Sequence, residues 1–491
     1  IYEIFAVKVC TAFEPSGEFF CSNHLINSIN EAAKLTFLNG FHSYPEDCPQ
    51  REKAGWTEDA SISAHGSIYN FNALHAYKKW IQDLRDAQHE SGQVPDVVPT
   101  PFWGKPSKMI ETPQYAPWDE EYVGRMADPW WGGVLILLPW RLYLHYGDIN
   151  LLKDSYSAMV KYIGFLLKTT ECEAGQFTYI INWGTLLGDW LEVGSHGSAT
   201  RTPRQLTCSQ AFLLYARIIA EIAQRLKKTD DEQQYKALAA KIKDAINEEF
   251  FNKQGGFYAK DSQSAESLAL YTDLVPDGKN DLVLQGLLDN IKTSWNYHLS
   301  TGIVGTYFLF KVLGMENQAE VAYRLITAKD FPGFEHNLTR VKQTTPLPST
   351  TLWEDWGGVS SLAHPVQGCV SAFFYEYLAG IQPVATSPGF KEIIIKPIVI
   401  DDLIWVRSEV KTLYGVIKAG WSRIENKLKF EFTIPANISA SIAIPLKESQ
   451  EILCNKKQIE NCKIISDGKR NMNLFSFHTK SGIFILELTE H

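Results

Sequence analysis

FLLYARIIAEIAQRLKKTDDEQQYKALAAKIKDAI, residues 212–246, decides the fold class. Phe212, Tyr215, Ala216, Ile219, Ala223 and Leu226 recur at i, i+3, i+4 spacing, which puts them in one stripe along a helix. Lys227 and Lys228 fall in its last turn, where cations suit the helix dipole. After a Thr-Asp-Asp linker, Tyr235, Leu238, Ile242, Ala245 and Ile246 repeat the spacing. Two helices joined by so few polar residues form a hairpin. Outward from it, helical patterns run over Leu25–Leu38, Ser61–His89, Trp131–His145, Leu151–Leu167, Asn280–Lys292, Ile303–Leu313, Ala319–Ile326 and Val366–Leu378. No alternating strands intervene, so a parallel α/β sheet is excluded. About ten to twelve helices with long Trp/Gly/Pro/Asp-rich loops fit a closed ring of hairpins; an α-solenoid is the rival, though no fixed repeat is visible.

After Gly380 the period becomes two. Lys427–Ile434 alternates polar and apolar residues, and Ser439–Ile444 and Ile483–Leu488 do the same. Pro383, Pro388 and Gly389 mark the boundary. The expected plan is mainly α: residues 1–22 as remnant strands of a preceding β domain, 23–382 as a helical barrel, and 383–491 as an antiparallel β-sandwich. A length of 491 residues suits this plan as well as the roughly three domains that ~150 residues per domain suggests. A net charge of −9 argues against nucleic acid or an anionic membrane as partner, since either needs a basic face. No apolar run is long enough to suggest a bilayer span. The eight cysteines form no C-x-x-C pair and read as free, mostly buried thiols. Residue 1 is Ile, so the expectation is a processed chain or a piece of a longer one, with no compartment assigned.

Fourteen Trp accompany 26 Phe and 21 Tyr, and many of the Trp sit in Gly/Pro-rich loops beside acids. That combination suits a concave site that stacks sugar rings. The densest stretch is Asp47-Cys-Pro-Gln-Arg51-Glu52-Lys-Ala-Gly-Trp56-Thr-Glu58-Asp59. A solvated loop would account for its charges but not for Trp56 behind Gly55. The second is Thr350-Thr-Leu-Trp353-Glu354-Asp355-Trp356-Gly-Gly, followed by Ala363-His364-Pro365. In an open solenoid these stretches would be far apart. In a closed ring they are neighbours, and two carboxylates across a cleft are the minimum for glycoside hydrolysis. Asp128-Pro-Trp130-Trp131, Gly188-Asp189-Trp190 and Gly92–Trp103 with Asp96 each set Asp near Trp in a loop. Singly each suits a capping Asp; jointly they suit a pocket rim. Trp103 serves equally well as packing. Asp355 is an alternative to Glu354. No metalloprotease, P-loop, dinucleotide or nucleophile-elbow motif occurs.

The segment from Asp47 to Asp59 resembles the signature of bacterial α-L-rhamnosidases of glycoside hydrolase family 78. So do Asp128-Pro-Trp-Trp-Gly, Gly188-Asp-Trp-Leu, Trp353-Glu354 and the run from His364-Pro-Val-Gln-Gly to Gly380-Ile. The likeness continues through Pro388-Gly-Phe390-Lys and Ile394-Ile-Lys396-Pro, covering nearly the whole chain. It implies an (α/α)6 barrel, a C-terminal β-sandwich and inverting hydrolysis of terminal α-L-rhamnosides, in a bacterial protein of the cytoplasm or periplasm. It also implies that Glu52 is the general acid and Glu354 the general base. Asp47, Arg51, Trp56 and Asp59 match its sugar-binding positions, and His364 a pocket histidine. The rim residues Trp103, Asp128, Trp131, Asp189, Trp190, Trp353 and Trp356 join them as expected carbohydrate contacts. The chemistry requires neither metal nor organic cofactor, and the sequence assigns no oligomeric state. Two departures stand out: Glu58 replaces the Gly common before the last Asp, and the Arg51–Gly55 spacing is one residue short of some members. Two rival readings remain: a barrel of this shape acting on a fucoside, glucoside or uronic-acid oligosaccharide, and an inactive carbohydrate-binding protein.

Overall fold

The computed structural model describes residues 5, 7–99, 127–173, 175–184, 187–195, 197, 199–339, 348–424, 427–446, 450–454, 463–467 and 472–490. Six inner helical segments form a ring: Thr57–Asn70, Val134–Tyr146, Arg204–Arg225, Gln263–Tyr271, Ile303–Met315, and the continuous 3-10, α and π turns Pro365–Cys369, Val370–Phe373 and Phe374–Leu378. Thr57–Asn70 packs against both Val134–Tyr146 and Val370–Phe373, so the first and last segments meet and the ring is closed. A solenoid is thereby excluded.

Inner and outer helices carry different patterns because they have different neighbours. Among the outer helices, Leu74–Ala87 buries Tyr77, Trp80, Ile81 and Leu84, a single stripe. Thr57–Asn70 buries every residue except His65, and much of what it buries is small or polar. Its apolar period is therefore weak. The pattern read as one stretch from Ser61 to His89 is two helices, broken at Phe71–Ala73. Gln263–Tyr271 was missed for the same reason: Gln263, Ser264 and Glu266 are buried and hydrogen-bonded to neighbouring loops, which erases the alternation of faces. The short helix Phe334–Thr339 was also missed. Arg204–Arg225 is long and apolar enough to cross a membrane, contrary to the reading of the apolar runs, but 89% of its most apolar window is buried as an inner helix.

The C-terminal strands form two sheets. One has the order Gly17–Cys21, Trp405–Thr412, Gly415–Ile424, Lys427–Ile434, Gly482–Glu490, Gln450–Cys454. The other runs Lys463–Asp467, Met472–Thr479, Ser439–Leu446, Glu392–Ile395, Ile381–Pro383. Apolar residues of both share one core, including Val410 and Trp421 from the first sheet and Ile395 and Ile442 from the second. The pairing is antiparallel except between Glu392–Ile395 and Ser439–Leu446, which is parallel. The strand anticipated near the N-terminus forms, and its partner is here: Gly17 lies opposite Val410 at the sheet edge. The ring is thus inserted between an edge strand and the rest of its own sandwich.

The two bodies join at the C-terminal ends of the inner helices. Trp421 donates its indole N–H to the Leu378 carbonyl at 3.0 Å, Gly389 N–H donates to Leu144 O at 2.9 Å, and Phe390 stands edge-on to His145 at 4.9 Å. The loops at the N-terminal ends are left for the mouth.

Candidate active site

Asp47–Asp59 enters the first inner helix. Gly55 is required because an added Cβ would lie 2.0 Å from the Val98 carbonyl. This close approach pairs Trp56 with Val97, and Thr57 N–H donates to Asp96 O at 2.9 Å, so the 93–98 loop fixes Trp56. Asp47 ties its own turn together, accepting from Ala54 N–H and Cys48 Sγ, both at 2.8 Å.

The two acidic stretches meet. One nitrogen of Arg51, Nη2, lies 3.0 Å from Glu52 Oε1 and 3.2 Å from Glu354 Oε2. The carboxylates therefore face one another across the width of a single guanidinium. Trp56 donates its indole N–H to the other oxygen of Glu52 at 2.7 Å. Glu354 Oε2 also accepts from Ser361 N–H at 3.0 Å, and Gln50 reaches Ser361 Oγ at 2.8 Å. The Glu52 side chain is 29% exposed and that of Glu354 9%, so the first stands at the rim and the second deeper. Asp355 turns into its own loop, accepting from Ser360 N–H at 2.7 Å and Val359 N–H at 3.3 Å.

His364 Nε2 is 3.0 Å from Asp59 Oδ1, and both are buried. Burial opposes charge on the ring. The Asp59 hydrogen bond and the charges of Glu354, Asp59 and Asp47 outweigh it and raise the pKa to about 9. His364 is therefore an imidazolium at neutral pH. Asp47 goes the other way: burial raises its pKa to about 6, although the Cys48 hydrogen bond and His364 pull it down. Glu58 is wholly buried, and burial pushes its pKa well up although the Arg141 charge and the Ser61 hydroxyl pull it down. It is a core acid, not the pocket carboxylate its position in the motif suggested.

Asp47, Arg51, Glu52, Trp56, Asp59, Glu354 and His364 are thus gathered at one mouth. Most of the other expected contacts are buried away from it. Asp128 is completely buried; it accepts from Trp130 N–H at 2.8 Å as a helix cap and from Leu187 N–H at 2.6 Å across the loop. Asp189 is also fully buried; its Oδ1 accepts from Gly305 N–H at 2.8 Å, and its Oδ2 from Gly302 N–H at 2.7 Å and from the Ser264 hydroxyl. These acids stitch together the N-terminal ends of successive inner helices. Burial lifts both to about 6 even though main-chain donors hold them down. Trp356 is core, edge-on to Phe334 at 5.0 Å. Trp131 is buried under Trp56, and Trp353 is buried with its indole N–H on Ser349 Oγ at 2.9 Å. Trp190 is half-buried. Trp103 lies outside the described residues. Sequence reading missed Gln50 and Ser361, whose only signal is adjacency to the acids. Among the described residues no cluster suits a metal ion.

Residues 14–378 match the bacterial α-L-rhamnosidase six-hairpin glycosidase domain, and 380–458 match the bacterial α-L-rhamnosidase C-terminal domain. The chain belongs to this family. An α-L-rhamnosidase of Formosa agariphila is 30% identical over 466 residues, 93% of this chain and 47% of that protein. The solved α-L-rhamnosidase of Dictyoglumus thermophilum is 31% identical with a TM-score of 0.84, over 98% of this chain and 51% of that one. The Streptomyces avermitilis enzyme, solved with L-rhamnose, is 25% identical with a TM-score of 0.81, over 97% and 42%. The chain spans about half the length of these relatives. Its six-hairpin ring and β-rich C-terminal domain are those of the family.

Proposed function

We propose that this protein hydrolyses terminal α-L-rhamnosides with inversion at the anomeric carbon. The observation that carries the reading is the pair Glu52 and Glu354, some 300 residues apart in sequence and held by one guanidinium nitrogen in one mouth. Two carboxylates at opposite walls are what inverting hydrolysis needs: one acid for the departing oxygen, one base for water on the other face. Glu52, at the rim, stands where an aglycone leaves. Trp56 fixes its orientation through the 2.7 Å hydrogen bond. Glu354, deeper and held by Ser361 N–H, draws the proton from the attacking water. Inversion needs the two carboxyl groups about 6.5–9.5 Å apart, wider than the roughly 6 Å that facing oxygens sharing one Arg51 nitrogen allow, so sugar and water must displace Arg51 and widen the pair. Arg51 then exchanges its carboxylate contacts for sugar hydroxyls, its fork of donors suiting either. The His364–Asp59 pair presents fixed charge beside the ring, and Trp56 an apolar face for it.

The testing experiment is a panel of nitrophenyl glycosides with the product anomer followed by NMR. Release from the α-L-rhamnoside, with the inverted anomer appearing first, supports the proposal. Release only from another sugar overturns the substrate, first appearance of the retained anomer overturns the mechanism, and binding without turnover overturns the activity.

A further inference from the structure

At the end of the ring away from the mouth, a cavity of about 190 Å³ lies between the C-terminal halves of the inner helices and the strand Ile381–Pro383. One wall is a chain of hydrogen bonds. Tyr307 OH meets His65 Nδ1 at 3.0 Å, His65 Nε2 meets Glu376 Oε1 at 2.7 Å, and Lys311 Nζ meets Glu376 Oε2 at 2.7 Å. Lys311 and Glu376 cancel: despite burial, Lys311 and His65 hold Glu376 below the usual carboxylate range. His65 stays neutral, because burial lowers its pKa in spite of Glu376.

Arg141 lines the same cavity and has no such partner. Its guanidinium lies over the Tyr307 ring, 4.5 Å from the centroid, and Nη1 donates to the carbonyl and hydroxyl of Ser61. Among the described residues no carboxylate pairs with it within 4.0 Å. Glu58, the acid with the strongest electrostatic influence on it, is wholly buried and makes no ion pair with it. A half-buried cation that opens on a cavity and carries no bonded carboxylate is a place for an anion to bind. The remaining walls include the apolar and aromatic Leu137, Trp140, Leu214, Tyr271 and Phe308, with His145 and Gln382 among them. Cavities of roughly 150 Å³ with apolar walls accept benzene.

We propose that this cavity binds a small monocarboxylate, its carboxylate on the Arg141 guanidinium and its apolar body against Trp140, Tyr271 and Phe308. Arginine's planar fork matches a carboxylate with two parallel hydrogen bonds, and the aromatic walls select a flat or branched apolar body over a bare ion. The site is independent of the mouth and of the activity proposed for it.

The test is thermal unfolding of the whole chain with benzoate, against benzamide and sodium chloride at equal concentration. Benzoate at about a hundredfold excess over Kd should raise Tm by roughly 1–3 °C, saturably. Benzamide and chloride should leave it unmoved, and Arg141→Gln should abolish the benzoate effect. An equal rise with benzamide or chloride, no rise with benzoate, or a rise that survives Arg141→Gln would overturn the proposal. Because Arg141→Gln can itself disturb folding, crystals of the unaltered protein soaked in 4-bromobenzoate give a second readout. A bromine anomalous peak in this cavity, with the carboxylate on Arg141, supports the proposal. No peak there, including a peak only at Arg51 in the mouth, overturns it.

Discussion

Under the proposed mechanism, the roles of Glu52 and Glu354 separate by how each depends on the leaving group. Glu52→Gln keeps the shape but cannot give a proton, so kcat on a poorly leaving aglycone should fall by about 10²–10⁴ and less on a nitrophenyl rhamnoside. Equal slowing of both substrates would remove Glu52 from the acid role. Water must be activated whatever leaves, so Glu354→Gln should slow both alike. Azide should then restore turnover and give the inverted glycosyl azide. Asp355→Asn should keep most activity, since its carboxylate serves Ser360 and Val359; the reverse pattern would make Asp355 the base. His364 gives a pH signature. Its pKa rises from an ordinary ~6.5 to about 9 on folding, so the folded state holds the extra proton. The stability this adds, on the order of 3 kcal/mol, is complete below pH ~6.5 and is lost as pH rises through about 9. Denaturant titrations of the unaltered chain and of His364→Gln should therefore converge above pH 9. A gap that stays constant from pH 6 to 10 would mean that the ring contributes by packing alone.

Elements meet most tightly where the ring closes. Gly66 in Thr57–Asn70 faces Gly368 in Pro365–Cys369, and a Cβ on Gly66 would come within 2.3 Å of the Gly368 carbonyl. Both backbones are inner segments with no room to withdraw. Gly66→Ala should cost about 1–3 kcal/mol of stability. It should also lower kcat, because Glu52 and Glu354 enter from opposite sides of that seam. Full activity at unchanged stability would show that the seam yields. Seams like this one mark the limit of what the sequence reveals. Outer helices such as Thr229–Phe250 are readable, since one face meets water and the period shows. Inner helices such as Gln263–Tyr271 meet protein on all sides and lose it. The acidic stretches around Glu52 and Glu354 stand out as charge held beside Trp and Gly. Asp128 and Asp189 share that look, yet only three-dimensional contact shows their oxygens spent on main-chain donors. Neither Arg141 nor Glu376 announces itself, because each lies in an ordinary helical pattern and gains meaning from partners far along the chain.

Over the whole molecule the chain leaves the sandwich before it builds the ring and returns afterwards. Gly17–Cys21 is the edge strand beside Trp405–Thr412, and between them lie the ring and two strands of the second sheet, Ile381–Pro383 and Glu392–Ile395. Phe374 and Tyr375 of the ring lie in one buried cluster with Phe19 and Trp421 of the sandwich. The join is also packed: Phe390 is 1% exposed and stands edge-on to His145 at 4.9 Å and to Tyr69 at 6.4 Å. Ring and sandwich should therefore unfold as one unit, and calorimetry of the intact chain should show a single transition. Phe390→Ala removes the ring of the phenylalanine from this join at a cost of about 3–5 kcal/mol. For nearly 500 residues that lowers Tm by roughly 3–5 °C. Because the join lies at the C-terminal ends of the inner helices and the carboxylates at the other, turnover of an activated rhamnoside at 25 °C should stay within about twofold, a change worth less than 0.5 kcal/mol. Two transitions in the unaltered chain would show instead that the bodies fold separately. A single transition that Phe390→Ala splits into two would mean that this one aromatic contact, more than the shared edge strand, is what couples them.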